Sequence, residues 1–411
     1  MSKVLPGSIS SIIMQEMTLT LQLLLLLGII IFAAKAGGLI STRLGQPAVL
    51  GELLMGLVLG PTVFDLLGQP LFANSHVGEI LLELGELGVI FLMFMAGLEV
   101  DLDEMLKSGR VAILAGTLGV LAPLVLGAGV AVVFGFSYLN SYFIGLILTA
   151  TSVSISAQTL LELGYLRSKE GLALLGAAVV DDVLVILVLS ISLALIGIGG
   201  VETNVGWVVA RMIVFIVLAV IVGTQLLPRL TAWVEALPVS EGVMAFGVIT
   251  ILFYAWSAEV LGQVAAITGA FLAGLFFART SVRRTIEDGM HTLTYAFFVP
   301  LFLIGIGLKA NARTLDIADI WFAIAIIAVA IAGKVIGCGI GARLGGYTFQ
   351  ESLRVGVGMI SRGEVGLIVA ALELSNGLVS QSVYSIMVLT LLTTTLVTPI
   401  LLRRVFPVRS E

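Results

Sequence analysis

Gly176-Ala-Ala-Val-Val-Asp181-Asp182-Val-Leu-Val-Ile-Leu-Val-Leu189 places two adjacent carboxylates inside an apolar run that is long enough to lie across a bilayer. An ionised aspartate at the centre of a membrane helix costs about 2.5–3.5 kcal/mol on insertion scales. Neighbouring positions of a helix point about 100° apart, so Asp181 and Asp182 can face different surroundings, such as a cavity and a partner helix. The pair therefore indicates a helix that binds and releases cations or protons, unless both aspartates are paired and only hold helices together.

The composition around this stretch is that of a helical membrane protein. Of the 411 residues, 59% are hydrophobic and 11% are charged, whereas a soluble domain carries about 25% charged residues. Apolar runs of spanning length recur along the whole chain, which predicts membrane helices rather than barrel strands. They leave no room for a soluble regulatory or nucleotide-binding domain. We therefore expect the lipid bilayer as a partner, and no nucleic acid, nucleotide, cofactor or enzymatic activity.

The hydropathy pattern predicts an all-α polytopic protein with about 13 membrane spans. The predicted spans are 18–39, 48–67, 79–98, 111–136, 141–163, 172–198, 206–226, 241–260, 262–279, 293–309, 318–341, 353–375 and 383–402. Lysine and arginine concentrate in the loops after odd-numbered spans and in the C-terminal tail. Positively charged loops stay in the cytoplasm, so we expect the N-terminus outside and the C-terminus inside. The expected membrane is the bacterial plasma membrane, with an internal photosynthetic membrane as the alternative.

Two short motifs recur in the same order in the two halves of the chain. Gly51–Leu57 of span two resembles Gly269–Leu275 of span nine, and Gly97–Leu102 of span three resembles Gly307–Ala312 of span ten. The offset between the copies is an odd number of spans, so the copies cross the membrane in opposite directions. Such an inverted-topology repeat is a common construction of secondary transporters.

The repeat pairs span five with span twelve, and both are polar at their centres. Span five carries Thr-Ala-Thr-Ser-Val-Ser-Ile-Ser at 149–156, and span twelve carries a glycine-rich stretch with Arg and Glu at 356–366. Such centres are where transporter helices unwind and line an ion site with backbone groups near the midplane. The alternative for the hydroxyl run is ordinary hydrogen bonding back to the helix.

Further charged residues lie deep in the predicted spans. Lys334 of span eleven needs a carboxylate, and one of the two aspartates is the best candidate, which leaves the other to bind a cation. We expect Arg362 and Glu364 of span twelve to pair or to brace the broken helix, a structural role. Glu52 of span two lines either the cavity or a subunit contact, and the sequence does not separate these alternatives.

A carboxylate near hydroxyls and free backbone carbonyls suits a hard monovalent cation. Sodium and protons would compete for one such carboxylate, because binding both leaves excess positive charge in a low dielectric. Competition combined with alternating access predicts exchange of sodium for protons, and we find no phosphate-binding loop that would indicate ATP hydrolysis. A cation channel is one alternative. An aspartyl protease is disfavoured, because adjacent residues on one helix point apart.

Four motifs together resemble the monovalent cation:proton antiporter-2 family, and most closely its bacterial Asp-Asp type sodium/proton antiporters. They are Thr149-Ala150-Thr151-Ser152, Val180-Asp181-Asp182-Val183, Gly333-Lys334-Val335 and the stretch from Arg362 to Ala370. The resemblance covers nearly the whole chain. It implies a homodimer of single transmembrane antiporter domains (1–411). Each would have a moving core around 111–198 and 318–402, with two crossed discontinuous helices, and a dimerisation domain from the remaining helices.

The resemblance also implies roles for individual residues. Asp182 would carry the ion and the proton, and Asp181 would pair with Lys334. Thr151 and Ser152 would line the cation site, with Asp181, Asp182 and Thr151 holding sodium. An Asp-Asp pair with a lysine resembles electrogenic exchangers of sodium or lithium for protons. Additional hydroxyls near the break keep potassium/proton exchange open as the alternative.

Overall fold

The computed structural model describes residues 18–72, 75–100, 103, 107–196, 205–309, 320–362, 366, 369–370, 373–374 and 377–406. All regular secondary structure in these ranges is helical. The helices are α1 (Leu19–Arg43), α2 (Ala48–Leu59), α3 (Ser75–Glu99), α4 (Gly109–Val133), α5 (Tyr138–Ile147), α6 (Val153–Glu162), α7 (Lys169–Ile196), α8 (Val205–Ile221), α9 (Leu227–Glu235), α10 (Gly242–Val260), α11 (Ala266–Phe277), α12 (Arg283–Leu293), α13 (Val299–Leu308), α14 (Ile320–Leu344), α15 (Phe349–Gly358) and α16 (Gln381–Val405). The all-α fold predicted from the sequence is confirmed.

Each predicted span overlaps at least one of these helices. Within the described ranges, nine helical stretches are long and apolar enough to cross a membrane, and α2, α5 and α11 are shorter apolar helices. The number of crossings, about 13, therefore stays a prediction. Two stretches run further than expected, because the π-helical turns Val222–Leu226 and Thr294–Phe298 join α8 to α9 and α12 to α13. The additional helices, α9 and α12, contain Arg and Glu residues, which lower the local hydropathy below that of a predicted membrane span.

Large apolar side chains cover much of the outer surface of the bundle. Phe32 of α1 is 75% exposed, and Ile113, Val214, Phe253 and Trp321 on four other helices are also exposed. A soluble monomer rarely presents so much apolar surface, whereas lipid tails cover it at no cost. The chain is therefore a multi-pass membrane protein.

The repeated glycine motifs meet at two helix crossings. Gly56 of α2 packs against Gly307 of α13, and Gly97 of α3 packs against α11 next to Gly274. A Cβ atom added at any of the four would collide with the backbone of the opposite helix. The first motif of each repeat thus contacts the second motif of the other repeat, as expected for two inverted copies related by a pseudo-twofold axis.

A third close crossing brings α4 and α14 together. Gly337 and Gly341 of α14 lie against the α4 backbone, and Gly333 lies against Pro123 of α4. Helix α4 also packs along α7, since Gly116 faces the α7 backbone. The small residues let the three helices approach closely, which buries the segments of α7 and α14 that carry the charged side chains.

Two helices are interrupted, as the polar centres of spans five and twelve predict. Helix α5 ends at Ile147 and α6 begins at Val153, while α15 ends at Gly358. The Ser152 backbone N–H donates to the Ser361 carbonyl at 2.9 Å, and the Ser156 hydroxyl donates to the Gly358 carbonyl at 2.5 Å. The two breaks therefore cross each other, and backbone groups freed by each break bond to the other.

The N-terminus of α2 is capped by a residue of α6. Helix α2 follows Pro47 and has no side-chain cap of its own. Glu162 supplies one, because its Oε2 accepts from the Ala48 N–H at 2.7 Å and its Oε1 accepts from the Val49 N–H at 3.2 Å. A carboxylate at a helix N-terminus is also favoured by the helix dipole. This contact joins the broken-helix region to the α1–α2 region.

Glu162→Ala is expected to lower the thermal midpoint, because it leaves the first N–H groups of α2 without an acceptor. Loss of a helix N-cap costs about 0.5–2 kcal/mol. Thermal unfolding of purified protein in detergent measures the effect. Glu162→Gln is the matched control, since its amide oxygen can keep one of the two bonds, and it should fall between the alanine variant and the parent. Equal midpoints for the parent and Glu162→Ala would show that the cap contributes nothing.

Candidate functional site

Asp181 and Lys334 form an ion pair in the interior of the protein. Both side chains are fully buried, and Lys334 Nζ lies 2.6 Å from Asp181 Oδ1. Gly119 of α4 leaves the space beside them, since a Cβ there would come within 4 Å of both charged groups. The other carboxylate oxygen, Oδ2, has no hydrogen-bond partner among the described residues. Lys334 thus neutralises one of the two adjacent aspartates.

Asp182 points into a different environment, as the 100° turn between neighbours predicts. Its side chain is 6% exposed, and its Oδ2 accepts a hydrogen bond from the Thr268 hydroxyl at 2.9 Å. Thr268 lies on α11, outside the segments that carry the other candidate residues. The sequence signal that could have identified Thr268 is its position directly before the repeated motif that begins at Gly269.

A cavity of about 360 Å³ leads to Asp182. Its polar lining includes Asp182, Glu86 of α3 and Glu259 of α10. Leu189, toward the end of α7, and Ala266, the first residue of α11, also line it. The cavity therefore opens at the end of the bundle where α7 ends and α11 begins. Carboxylates along its wall attract cations toward the aspartate.

A second, much smaller cavity is also lined by Asp182. It holds about 10 Å³ and is lined by Asp182, Thr268, Met93, Val153 and Phe271, among others. That is space for roughly one water molecule. Asp182 therefore borders both a wide cavity that carries two further carboxylates and a narrow, mostly apolar cavity, as expected for a carrier that is open to one side.

The break between α5 and α6 presents hydroxyl groups to the same region. Thr151, Ser152 and Ser154 are buried, and their hydroxyls have no hydrogen-bond partner among the described residues. Val153, in the middle of this run, lines the small cavity beside Asp182. Buried hydroxyls without partners cost about 1–3 kcal/mol each. They are therefore available as oxygen ligands for a desolvated cation.

Arg362 is fully buried beside the second break. Its guanidinium donates to the Leu148 carbonyl from Nε and Nη2 at 3.1 and 2.8 Å, to Ala330 at 2.9 Å and to Ile360 at 2.8 Å. It thus joins the end of α5, helix α14 and the residues after α15, in agreement with a bracing role. Glu364, the carboxylate that we expect either to pair with Arg362 or to brace the broken helix with it, lies outside the described residues.

Glu52 lies away from this site. Its carboxylate pairs with Lys35 at 3.3 Å, and Lys35 also donates to the Tyr295 carbonyl at 2.9 Å. Glu52 lines a separate cavity of about 450 Å³, together with Lys35, Gln158 and Glu162. Glu52 therefore lines a cavity other than the one that reaches Asp182.

The donor set at Asp182 is one carboxylate with neutral oxygens nearby. No cluster of three or more His, Cys, Asp or Glu side chains suited to a metal ion occurs within the part of the chain that the structure describes. Crossed helix breaks, an inverted repeat and a carboxylate at the base of a one-sided cavity together define a secondary ion carrier.

The chain belongs to the sodium/hydrogen exchanger family of transmembrane proteins, whose family model matches residues 23–407. It is 37% identical to the Na+/H+-K+ antiporter GerN of Bacillus cereus, over 94% of this chain and 96% of that protein. It is 34% identical to an Na+/H+ antiporter of Enterococcus hirae, over 92% and 96% of the two chains. The family and these relatives are transporters.

A solved structure shares the fold. The sodium proton antiporter MjNhaP1 of Methanocaldococcus jannaschii superposes with a TM-score of 0.71 at 17% sequence identity, over 94% of this chain and 96% of that one. The inverted repeat with crossed discontinuous helices, predicted from short motifs, is thus the fold of a known antiporter.

Thr268→Val is expected to weaken sodium binding, because it removes the hydroxyl that donates to the ionised form of Asp182. Hydrogen bonds to charged groups contribute about 1.5–3 kcal/mol, so a loss of about tenfold in apparent sodium affinity is expected. Sodium-concentration dependence of transport in proteoliposomes measures it. Thr268→Ser keeps the hydroxyl and should retain the parent's affinity; a valine variant with that same affinity would remove Thr268 from the site.

Proposed function

We propose that this protein exchanges sodium or lithium for protons across the membrane by alternating access. One observation carries the proposal: of two adjacent buried carboxylates, Asp181 is neutralised by Lys334, while Asp182 lies at the base of a cavity that is open on one side. The names of the relatives from Bacillus cereus and Enterococcus hirae support sodium and protons as the transported ions.

In this proposal the cation and the proton compete for Asp182. With Lys334 holding Asp181, the site carries one net negative charge on Asp182. A second positive charge in the same low-dielectric space is strongly disfavoured, so sodium binding displaces the proton. Asp182 would hold sodium directly, while Thr151, Ser152 and the free oxygen of Asp181 complete an all-oxygen shell.

Alternating access would come from movement of a core domain around 111–198 and 318–402 against the remaining helices. The close packing of α4, α7 and α14 supports the movement of these helices as one body. We further propose that the protein is an electrogenic homodimer in a bacterial plasma membrane, with the N-terminus outside and the C-terminus in the cytoplasm. The cavity that reaches Asp182 would then open to the outside.

Potassium/proton exchange is the second candidate. Its support is the name of the Bacillus cereus relative, which includes potassium. Extra hydroxyls in the first turn of α6, at Ser154 and Ser156, would allow a wider oxygen shell for a larger cation.

Proteoliposomes that contain a pH-sensitive dye test the proposal. Sodium, lithium or potassium is added outside, with and without a valinomycin clamp of the membrane potential. Proton movement driven by sodium and lithium, and altered by the clamp, is the expected result. A response to potassium alone would change the assigned ion, a response indifferent to voltage would remove electrogenicity, and no response to any of the three ions would overturn the proposal.

A further inference from the structure

Glu373 is a buried carboxylate that the exchange site does not use. Its side chain is 0% exposed, and neither carboxylate oxygen has a hydrogen-bond partner among the described residues. The backbone at Glu373 is helical, and its carbonyl accepts a hydrogen bond from the Leu378 N–H at 2.9 Å. The side chain is therefore held in the interior without a polar contact to any residue that the structure describes.

The residues before and after Glu373 belong to an apolar cluster. Val369, Ala370, Leu378 and Val379 are all buried in it, with apolar side chains of α5, α14 and α16. Neither oxygen of the Glu373 carboxyl group forms an ion pair or a hydrogen bond with a described side chain. The charged residues on the flanking helix α14 are Lys334, which is paired with Asp181, and Arg343, which donates to the Tyr347 carbonyl.

An ionised carboxylate cannot persist in such surroundings. Burying an unpaired charge costs far more than neutralising it, so the group takes up a proton. The other buried glutamates among the described residues differ, since Glu52 is paired with Lys35 and Glu170 is paired with Arg354. A purely structural side chain would use its oxygens in hydrogen bonds, and a buried polar atom without one destabilises the fold. Packing therefore does not explain a carboxylic acid at position 373, and a role in function does.

The location of Glu373 supplies a connection to transport. Val369, four positions earlier, lines the cavity that reaches Asp182. Leu189 of α7 lines the same cavity and packs against the apolar cluster around Glu373. The carboxyl group thus lies behind one wall of the ion pathway.

We propose that Glu373 is a second proton-binding site of the transporter. It holds a proton in the conformation seen here and releases it to water in the opposite conformation; only its O–H bond forms and breaks. Sodium on Asp182 adds a positive charge to the core, and loss of the Glu373 proton removes one, so the two events favour each other. Each cycle then moves one proton more than the one displaced from Asp182. This inference rests on the proposed sodium/proton exchange.

The number of protons exchanged per sodium ion tests the inference. In proteoliposomes, the membrane potential at which net proton flux stops gives this ratio for fixed sodium and pH gradients. The parent should move more than one proton per sodium, and Glu373→Gln should still exchange but with one proton fewer. Glu52→Gln is the matched control, a buried glutamate replaced outside the core, and should keep the parent's ratio. An unchanged ratio in Glu373→Gln, or a ratio of one in the parent, would overturn the inference while leaving the proposed exchange intact.

Infrared difference spectroscopy supplies a readout that is independent of transport. Purified protein should show a protonated carboxylic acid band that shifts in Glu373→Asp, a variant that keeps the acid, and that weakens when sodium is added. Absence of a band sensitive to the 373 substitution, or a band that sodium leaves unchanged, would assign Glu373 no part in proton exchange.

Discussion

Asp182→Asn is expected to abolish sodium-driven proton movement and to leave the protein folded. The substitution keeps the shape of the side chain and its acceptor for Thr268, but removes the charge that both ions require. A unit charge pair about 2.5 Å apart at an effective dielectric of about 20 interacts by roughly 6–7 kcal/mol. Each 1.4 kcal/mol corresponds to about a tenfold change in ion affinity. A loss of this size is too large for the remaining neutral oxygen ligands to offset. Transport should fall to the level of empty liposomes.

The matched control for this variant is Glu259→Gln, which removes an exposed carboxylate from the same cavity. It should keep most of the exchange, because Glu259 attracts ions toward the pathway but does not bind them at its base. Dye dequenching in proteoliposomes measures both variants, and size-exclusion profiles in detergent show that both assemble. Exchange at the parent's rate in Asp182→Asn would remove Asp182 from the mechanism.

Lys334→Ala is expected to cause the largest loss of stability. Asp181 and Lys334 are both fully buried, so removal of the lysine leaves an uncompensated carboxylate in the interior. Removing one partner of a buried ion pair costs about 3–5 kcal/mol.

Thermal unfolding of the purified protein in detergent at neutral pH measures this effect. Asp181→Asn combined with Lys334→Ala is the matched control, because it removes the stranded charge and should recover part of the lost stability. An unchanged melting temperature for Lys334→Ala at neutral pH would show that the pair contributes nothing to the fold.

Much of the architecture was predictable because it depends on local composition. Apolar runs determine where helices form, and hydroxyl or glycine centres determine where they break, as at 149–156 and 356–362. The inverted repeat could be recognised in the sequence because helices whose backbones are in close contact require glycine at the crossing. Gly56 with Gly307 and Gly97 with Gly274 keep that requirement in both copies. A buried lysine needs a carboxylate partner, so an ion pair between Lys334 and one of the two aspartates was also predictable. The residues themselves did not determine which aspartate forms the pair.

Contacts between distant helices were not predictable. Helix α11 is apolar along nearly its whole length, so nothing in its sequence places Thr268 against Asp182. Glu162 ends α6 as an ordinary polar residue, and only the fold brings it to the N-terminus of α2. The helical turns around Arg229 and Arg283 escaped prediction because they are polar and lie beyond the apolar stretches. Each of these features depends on tertiary packing rather than on residue spacing.

Sodium affinity measured as a function of pH tests the central claim most directly. Isothermal titration of the purified protein with sodium chloride, at constant ionic strength, gives the apparent dissociation constant at each pH. If sodium and a proton compete for Asp182, the constant should rise by up to about tenfold for each unit of falling pH once the carboxyl is protonated, and each bound sodium should release protons to the buffer. A dissociation constant that stays the same across the pH series, with no proton release, would contradict competition at a shared carboxylate.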